Sequence, residues 1–239
     1  MLTEIDQAKQ ALRERVWRRL IDGAGAPADS YGKIPGFYGA EATAEQLAGL
    51  DEWREATTVK ANPDWAQLPV RVRALKDGKR VYMAVPKMAG VHPFYLLDPG
   101  NLTLPPEEAA EKKGAALVAR RVSVDEVRPI DIVVCGSVAV NRSGTRIGKG
   151  AGYSDLEVAL LIEAGLVTEK TVIVAPVHQL QVIEDDIPET EHDFSVDYIV
   201  TPDEVIPCAN RRRPSGLVWA DLTPEKIAAI PVLTQRRPS

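Results

Sequence analysis

Two cysteines, three histidines and 5% aromatic residues are all that a chain of 239 residues contains of these types. So few thiols exclude a disulfide-stapled scaffold. Cys135 and Cys208 lack metal-ligand spacing, and Cys135 sits inside an apolar run, where a thiol behaves as a small buried hydrophobe. His92 and His178 have no carboxylate or cysteine at ligand spacing, which argues against a metal centre built on them. Positive charge is short as well. Lys and Arg number 29 against 34 Asp and Glu, giving a net charge of −5, whereas a dedicated nucleic-acid binder needs a clustered basic face. No apolar run approaches membrane-spanning length, and MLTEIDQAKQALRER is a charged amphipathic pattern rather than a signal peptide. These shortages predict a soluble, cytoplasmic protein with neither membrane nor nucleic acid as partner.

What is present follows α/β grammar. Residues 4–21 carry the apolar stripe Ile5, Ala8, Leu12, Val16 and Leu20 behind Thr3 and Asp6, a capped helix. Residues 22–40 are rich in Gly and Pro and read as a loop. A second helix is predicted over 44–56, then the extended TTVKANPD, a short helical or mixed run, a turn at Lys76-Asp77-Gly78, and a strand over 80–85 stopped by Pro86. Residues 129–140 form a near-continuous β-rich apolar run, the pattern of a parallel strand covered on both faces. A helix over 155–164 with Gly165 after it, and strands over 171–177 and 196–202, complete the pattern. Strand, loop, helix, strand at this spacing predicts a three-layer α/β/α, Rossmann-like architecture with a mainly parallel sheet. No shift in composition marks a second unit, so one domain is expected over 1–239, with 206–239 as a C-terminal extension packed on it.

Glycine is concentrated in NRSGTRIGKGAGYSDLE, residues 141–157, at Gly144, Gly148, Gly150 and Gly152. The stretch follows an apolar strand and precedes a helix, where open α/β sheets bind ligands and unpaired helix amides favour anions. Arg146 offers a planar fork and Lys149 a movable point charge, while Asp155 suits an amide cap or a Mg²⁺ ligand beside phosphates. The spacing matches neither Walker A nor the Rossmann fingerprint. A merely flexible loop is the alternative, and the strand-before, helix-after context weighs against it. The predicted ligand is a polyphosphate, ATP.

The run Gly144-x-Arg146-x-Gly148-x-Gly150-x-Gly152-Tyr153-x-Asp155 resembles the signature of the 5-formyltetrahydrofolate cyclo-ligase family, also called methenyltetrahydrofolate synthetases. Lys9-x-x-Leu12-Arg13 is similar to that family's first-helix motif. LQVIEDDIPETEHDFSVDYIVTP resembles its C-terminal block through Gln181, Pro188, His192, Asp193, Asp197 and Thr201. Segments such as KIPGFYG, VKANPD and VVCGSVAV look closest to the branch of methenyltetrahydrofolate synthetase domain-containing proteins. Vertebrate members of that branch carry an appended RNA-recognition domain, which has no counterpart in these 239 residues.

The resemblance implies an ATP- and Mg²⁺-dependent ligase of folate one-carbon metabolism, closing 5-formyltetrahydrofolate to 5,10-methenyltetrahydrofolate with ADP and phosphate as products. It implies that Lys9, Arg13, Gly144, Arg146, Gly148, Gly150, Gly152 and Asp155 surround ATP, that Asp155 ligates the metal, and that Arg146, Lys149 and Tyr153 serve catalysis. Phe37, Tyr38, Glu41, Phe94 and Tyr95 fall where the family's pterin-binding residues would lie. Two positions depart from the family pattern: Ser154 stands for its second Tyr, and Cys135-Gly136 for a Pro. Two alternatives stay open: a paralogue using the ATP site on another small substrate, in thiamin-related salvage, or a nucleotide-binding module without turnover.

Blander readings stand beside several of these residues. Lys9 and Arg13 fit the solvated face of an amphipathic helix, and Trp17 fits helix packing. His192-Asp193 invites a general base, but with no third partner in view a strand-end hydrogen bond is preferred for His192. Arg211-Arg212-Arg213 reads as an exposed loop, a weak footprint for RNA in an acidic chain.

Overall fold

The computed structural model describes residues 3–238; Met1, Leu2 and Ser239, at the ends of the domain expected over 1–239, lie outside them. In chain order the helices are α1 (Glu4–Asp22), α2 (Ala40–Ala48), α3 (Asp51–Glu55), α4 (Leu68–Lys76), α5 (Pro106–Ala109), α6 (Lys112–Val118), α7 (Tyr153–Glu163), α8 (Pro224–Ala229) and α9 (Pro231–Arg236). The strands are β1 (Thr58–Ala61), β2 (Arg80–Ala84), β3 (Phe94–Leu97), β4 (Arg120–Val122), β5 (Ile132–Val134), β6 (Ala139–Asn141), β7 (Arg146–Ile147), β8 (Val172–Pro176), β9 (Val182–Ile183), β10 (Tyr198–Val200) and β11 (Val205–Pro207).

An eight-stranded sheet runs β11-β10-β8-β5-β1-β2-β3-β4. Its five central strands, β10 through β2, are parallel, and β11, β3 and β4 extend it antiparallel at the two edges. The mainly parallel sheet is therefore present. Alternation along each strand sends side chains to opposite faces. On β5, Val133 joins a core with α7, α8 and α9, while Ile132 and Val134 join a second core with α2 through α6. Helices thus cover both faces, giving three layers.

A small sheet, β7-β6-β9, stands apart from the main one. Helix α1 packs on it through Val16 and Trp17, against Val138, Ala139 and Ile147. The helix begins as its sequence dictates: the Thr3 hydroxyl accepts from the Asp6 amide at 3.1 Å, and the Asp6 carboxylate accepts from the Thr3 amide at 3.1 Å.

Three expectations about elements need correction. The apolar run over 129–140 is two strands in two sheets, β5 and β6, because the chain turns out of the main sheet at Gly136. A Cβ there would lie 2.8 Å from Asp64 Oδ2. Both strands are buried, so hydropathy alone reads as continuous across the bend. The helix expected over 44–56 begins earlier and breaks after Ala48, where Leu50 takes an extended conformation and caps α3. The expected exposed basic loop is partly a buried clasp: Arg213 donates to Asp197 at 2.6 Å, and Arg211 stands 3.3 Å from the other carboxylate oxygen.

Candidate active site

Strand order reverses between β1 and β5: the chain proceeds from β1 outward through β2, β3 and β4, then returns to β5 on the other side of β1. Ligands of open α/β sheets bind beyond the carboxyl ends of strands at such a switch point. A cleft of ≈ 940 Å³ opens there. Asn62 to Asp64 after β1, Val85 to Lys87 after β2 and Gly136 after β5 form one wall. The other wall is the glycine loop with the start of α7.

The loop is shorter than the sequence suggests. Arg146 lies on β7, paired with Val140 of β6, so the cradle is residues 148–152. Gly144 belongs to the β6–β7 turn and does not line the cleft; at φ +99° its Cβ would meet the Val196 carbonyl at 2.5 Å. Gly150, also at positive φ, lets the loop pass the Arg13 guanidinium, whose carbon a Cβ would approach to 3.3 Å. Gly152 precedes α7 with no side chain capping the helix, leaving its first-turn amides open toward the cleft. The helix is held from behind by Leu156, Val158, Leu160 and Leu161, each buried and worth about 1.5–3 kcal/mol.

Arg146 is 2% exposed. Its Nη1 donates to Asp155 Oδ1 at 2.8 Å, and its guanidinium carbon lies 4.5 Å from the Phe194 ring centroid. Burial opposes the charge, yet the acidic groups around it, Asp155 foremost, together prevail and push the guanidinium pKa up. Arg146 Nε is buried without a hydrogen-bond partner, as is the hydroxyl of Ser154 in the first turn of α7. Two buried donors are thus left without an acceptor among the residues lining the cleft.

Helix α1 delivers two more cations across the cleft. Lys9 pairs with Asp193, which also accepts from the Thr190 amide and hydroxyl. Burial opposes ionisation of Asp193, but the Lys9 ammonium and the Thr190 amide prevail and hold its carboxyl below the usual range. Arg13 Nε donates to the Gly148 carbonyl at 2.7 Å, fixing the cradle to α1. Neither is a solvated helix face: Lys9 is 7% exposed. Of the residues singled out from the sequence, Lys9, Arg13, Arg146, Gly148, Lys149, Gly150, Gly152, Tyr153 and Asp155 converge on this cleft, with Lys149 exposed at its rim.

Several residues at the site escaped the sequence. Behind α7, Lys60 of β1 donates to Glu157 at 2.6 Å, and Asn62 donates to the same carboxylate oxygen at 2.8 Å. A lysine inside a strand and a glutamate inside an apolar helix are each unremarkable alone; only their pairing carries the signal. Asp64 lines the opposite wall, where burial raises its carboxyl pKa against the pull of Lys149. His192 Nε2 stands 2.9 Å from Asp221, a partner supplied by the C-terminal segment. That segment also brings Leu222, Thr223 and Lys226 to the cleft. Phe37, Phe94 and Tyr95 are instead buried in the cores, Tyr38 and Glu41 lie at the surface, and none of the five lines the cleft.

Fold and site together define an α/β protein with a glycine loop lining a cleft at the switch point of its sheet. The chain belongs to the 5-formyltetrahydrofolate cyclo-ligase family, whose model matches residues 5–202. It is 37% identical to the methenyltetrahydrofolate synthase domain-containing protein of Mus musculus over 245 residues, covering 99% of this chain and 65% of that protein. Its identity to the Homo sapiens protein of the same name is 34% over 237 residues, covering 96% and 61%. The chain thus spans less than two thirds of the length of these relatives. The solved 5,10-methenyltetrahydrofolate synthetase of Aquifex aeolicus shares the fold, with a TM-score of 0.54 at 22% identity over 86% of this chain and 95% of that one.

Proposed function

We propose that the protein is an ATP- and Mg²⁺-dependent ligase that closes 5-formyltetrahydrofolate to 5,10-methenyltetrahydrofolate. The observation that carries this reading is the cleft at the switch point, where buried Arg146 and Ser154 hold unsatisfied donors beside the uncapped start of α7. The residues fit a nucleotide triphosphate with its metal. The cradle amides and Arg146 would take phosphate oxygens, and Asp155 would supply a carboxylate to Mg²⁺. Among the described residues no cluster of three or more His, Cys, Asp or Glu forms a cage for a metal. That agrees with Mg²⁺ held by one carboxylate and the phosphates themselves.

When bound, ATP supplies the phosphoryl group that turns a formyl oxygen into a leaving group. Chemistry of this kind asks a protein for positioning and positive charge rather than a nucleophile. Arg13 anchors the cradle to α1, Lys9 is held at its station by Asp193, and Arg146 faces the phosphates from a dry site. At ≈ 940 Å³ the cleft has room for a second substrate beside the nucleotide.

A second reading, the same phosphate site serving a different small substrate, is favoured by one observation. The aromatic residues expected near a pterin do not line the cleft, and Tyr153 is the one Phe, Tyr or Trp on its wall among the described residues. Purified protein with Mg-ATP and 5-formyltetrahydrofolate decides between the two. The absorbance of 5,10-methenyltetrahydrofolate is expected to rise. No product while Mg-ATP still binds would overturn the first reading.

A further inference from the structure

Helix α8 lies outside the residues matched by the family model, yet it reaches the glycine loop. Thr223 caps it, accepting from the Lys226 amide at 3.2 Å, Pro224 opens it, and Ile227 is buried in the core beside α7. These contacts fix where Lys226 points. Its ammonium donates to the Ala151 carbonyl at 2.9 Å and sits 4.1 Å from the Tyr153 ring centroid.

Both partners are neutral. Lys9 has Asp193, Lys60 has Glu157 and Arg146 has Asp155, but no carboxylate of the described residues forms an ion pair with Lys226. Lys149, Lys87 and Lys112 also line the cleft without ion pairs, but they are exposed. Lys226 is half-buried, and desolvation pulls its pKa down. Its position is electrostatically wrong for an empty site. Tyr153 is the first residue of α7, and a helix N-terminus favours anions and repels cations. A half-buried cation at that end, in a cleft also lined by Arg146 and Ser154 with their unsatisfied donors, makes sense once an anion enters the cleft.

We propose that Lys226, supplied by the C-terminal segment, binds the phosphate chain of the nucleotide and closes the cradle from the side opposite α1. His192 and Asp221 make a second tie between that segment and the loop holding Asp193, which keeps α8 in place. The inference rests on the ATP reading given above.

The test compares affinities for Mg-ATP and AMP by calorimetry in the full chain, with thermal unfolding of each ligand-free variant. Lys226→Met and Lys226→Gln remove the charge, while Gln keeps a donor for the Ala151 carbonyl. Both are expected to weaken Mg-ATP about tenfold or more, the scale of one charged hydrogen bond, and to change AMP far less. Lys226→Arg is expected to restore most of the loss. If Lys226→Gln binds Mg-ATP as the parent does, Lys226 is a latch on the loop and the proposal falls while the ATP reading survives. Equal losses for ATP and AMP would overturn it too. A parent protein that binds no Mg-ATP overturns both.

Discussion

Arg146 concentrates the site's chemistry in one side chain. It is dry, paired with Asp155 on one edge, and unsatisfied at Nε. A guanidinium serves such a position because its fork can hold a carboxylate and a phosphate together, which an ammonium cannot. Arg146→Ala is therefore expected to abolish Mg-ATP binding in calorimetry and to destabilise the fold by about 1.5–3 kcal/mol in urea, the scale of a lost charged hydrogen bond. Arg146→Lys is expected to recover charge but not affinity. Unchanged ATP affinity in the Ala variant would show that the phosphates lie elsewhere.

That Arg146 belongs to the glycine motif was legible in its sequence spacing. Its burial and its partner were not, because Asp155 comes within reach only when β7 and the start of α7 fold side by side. Gly144 shows the opposite case. It belongs to the same spaced motif, but its backbone is shaped by the contact with the Val196 carbonyl, a demand of packing rather than of the cleft.

At the scale of elements, α7 decides the position of the cradle. Its apolar faces were plain in the sequence, and it is buried as that pattern requires. Glu157 is the exception within it, and the structure supplies the reason: Lys60 and Asn62 reach it from the end of β1. With side-chain exposures of 0% and 4%, the Lys60–Glu157 pair is fully enclosed. Removing one member leaves an uncompensated charge, so Lys60→Met is expected to cost about 3–5 kcal/mol in denaturant unfolding. Replacing both, Lys60→Met with Glu157→Leu, is expected to cost much less, since an apolar pair of similar volume avoids the desolvation of either ion. Near-additive losses in that double-mutant cycle would show that the two charges do not depend on each other.

Elements of low hydrophobic contrast were the ones the sequence hid. Strands β7 and β9 are two residues each and β4 three, too short for an alternation to register, and β3 lies between Pro93 and Pro99-Gly100, which interrupt the pattern. These short pieces build the edge of the main sheet and the small sheet on which α1 rests. The small sheet helps seat α1, which carries Lys9 and Arg13 to the cleft.

Across the whole molecule, one carboxylate ties the two strands that flank the switch point. Asp131 Oδ2, at the start of β5, accepts from the Thr57 and Thr58 amides at 2.8 and 2.9 Å and from both hydroxyls. Burial opposes its ionisation, but the Thr57 and Thr58 donors prevail and lower its pKa. A carboxyl whose folded pKa lies below its unfolded value of about 3.9 stabilises the fold fully above that value. The contribution is lost as pH falls through the folded pKa. Asp131→Asn is expected to lower the melting temperature at neutral pH, with the gap from the parent closing as pH drops below about 4. A gap independent of pH would assign the effect to packing instead.

By itself the sequence determined the three-layer α/β class, the glycine loop between strand and helix, and the cations of α1, because hydropathy period and motif spacing are local and survive in one dimension. Tertiary structure alone decided that residues 129–140 divide between two sheets, that Arg146 pairs with Asp155, and that Lys60 and Lys226 arrive at α7 from distant parts of the chain. Each of those facts depends on how elements pack in three dimensions, and no local pattern encodes where a buried charge finds its partner.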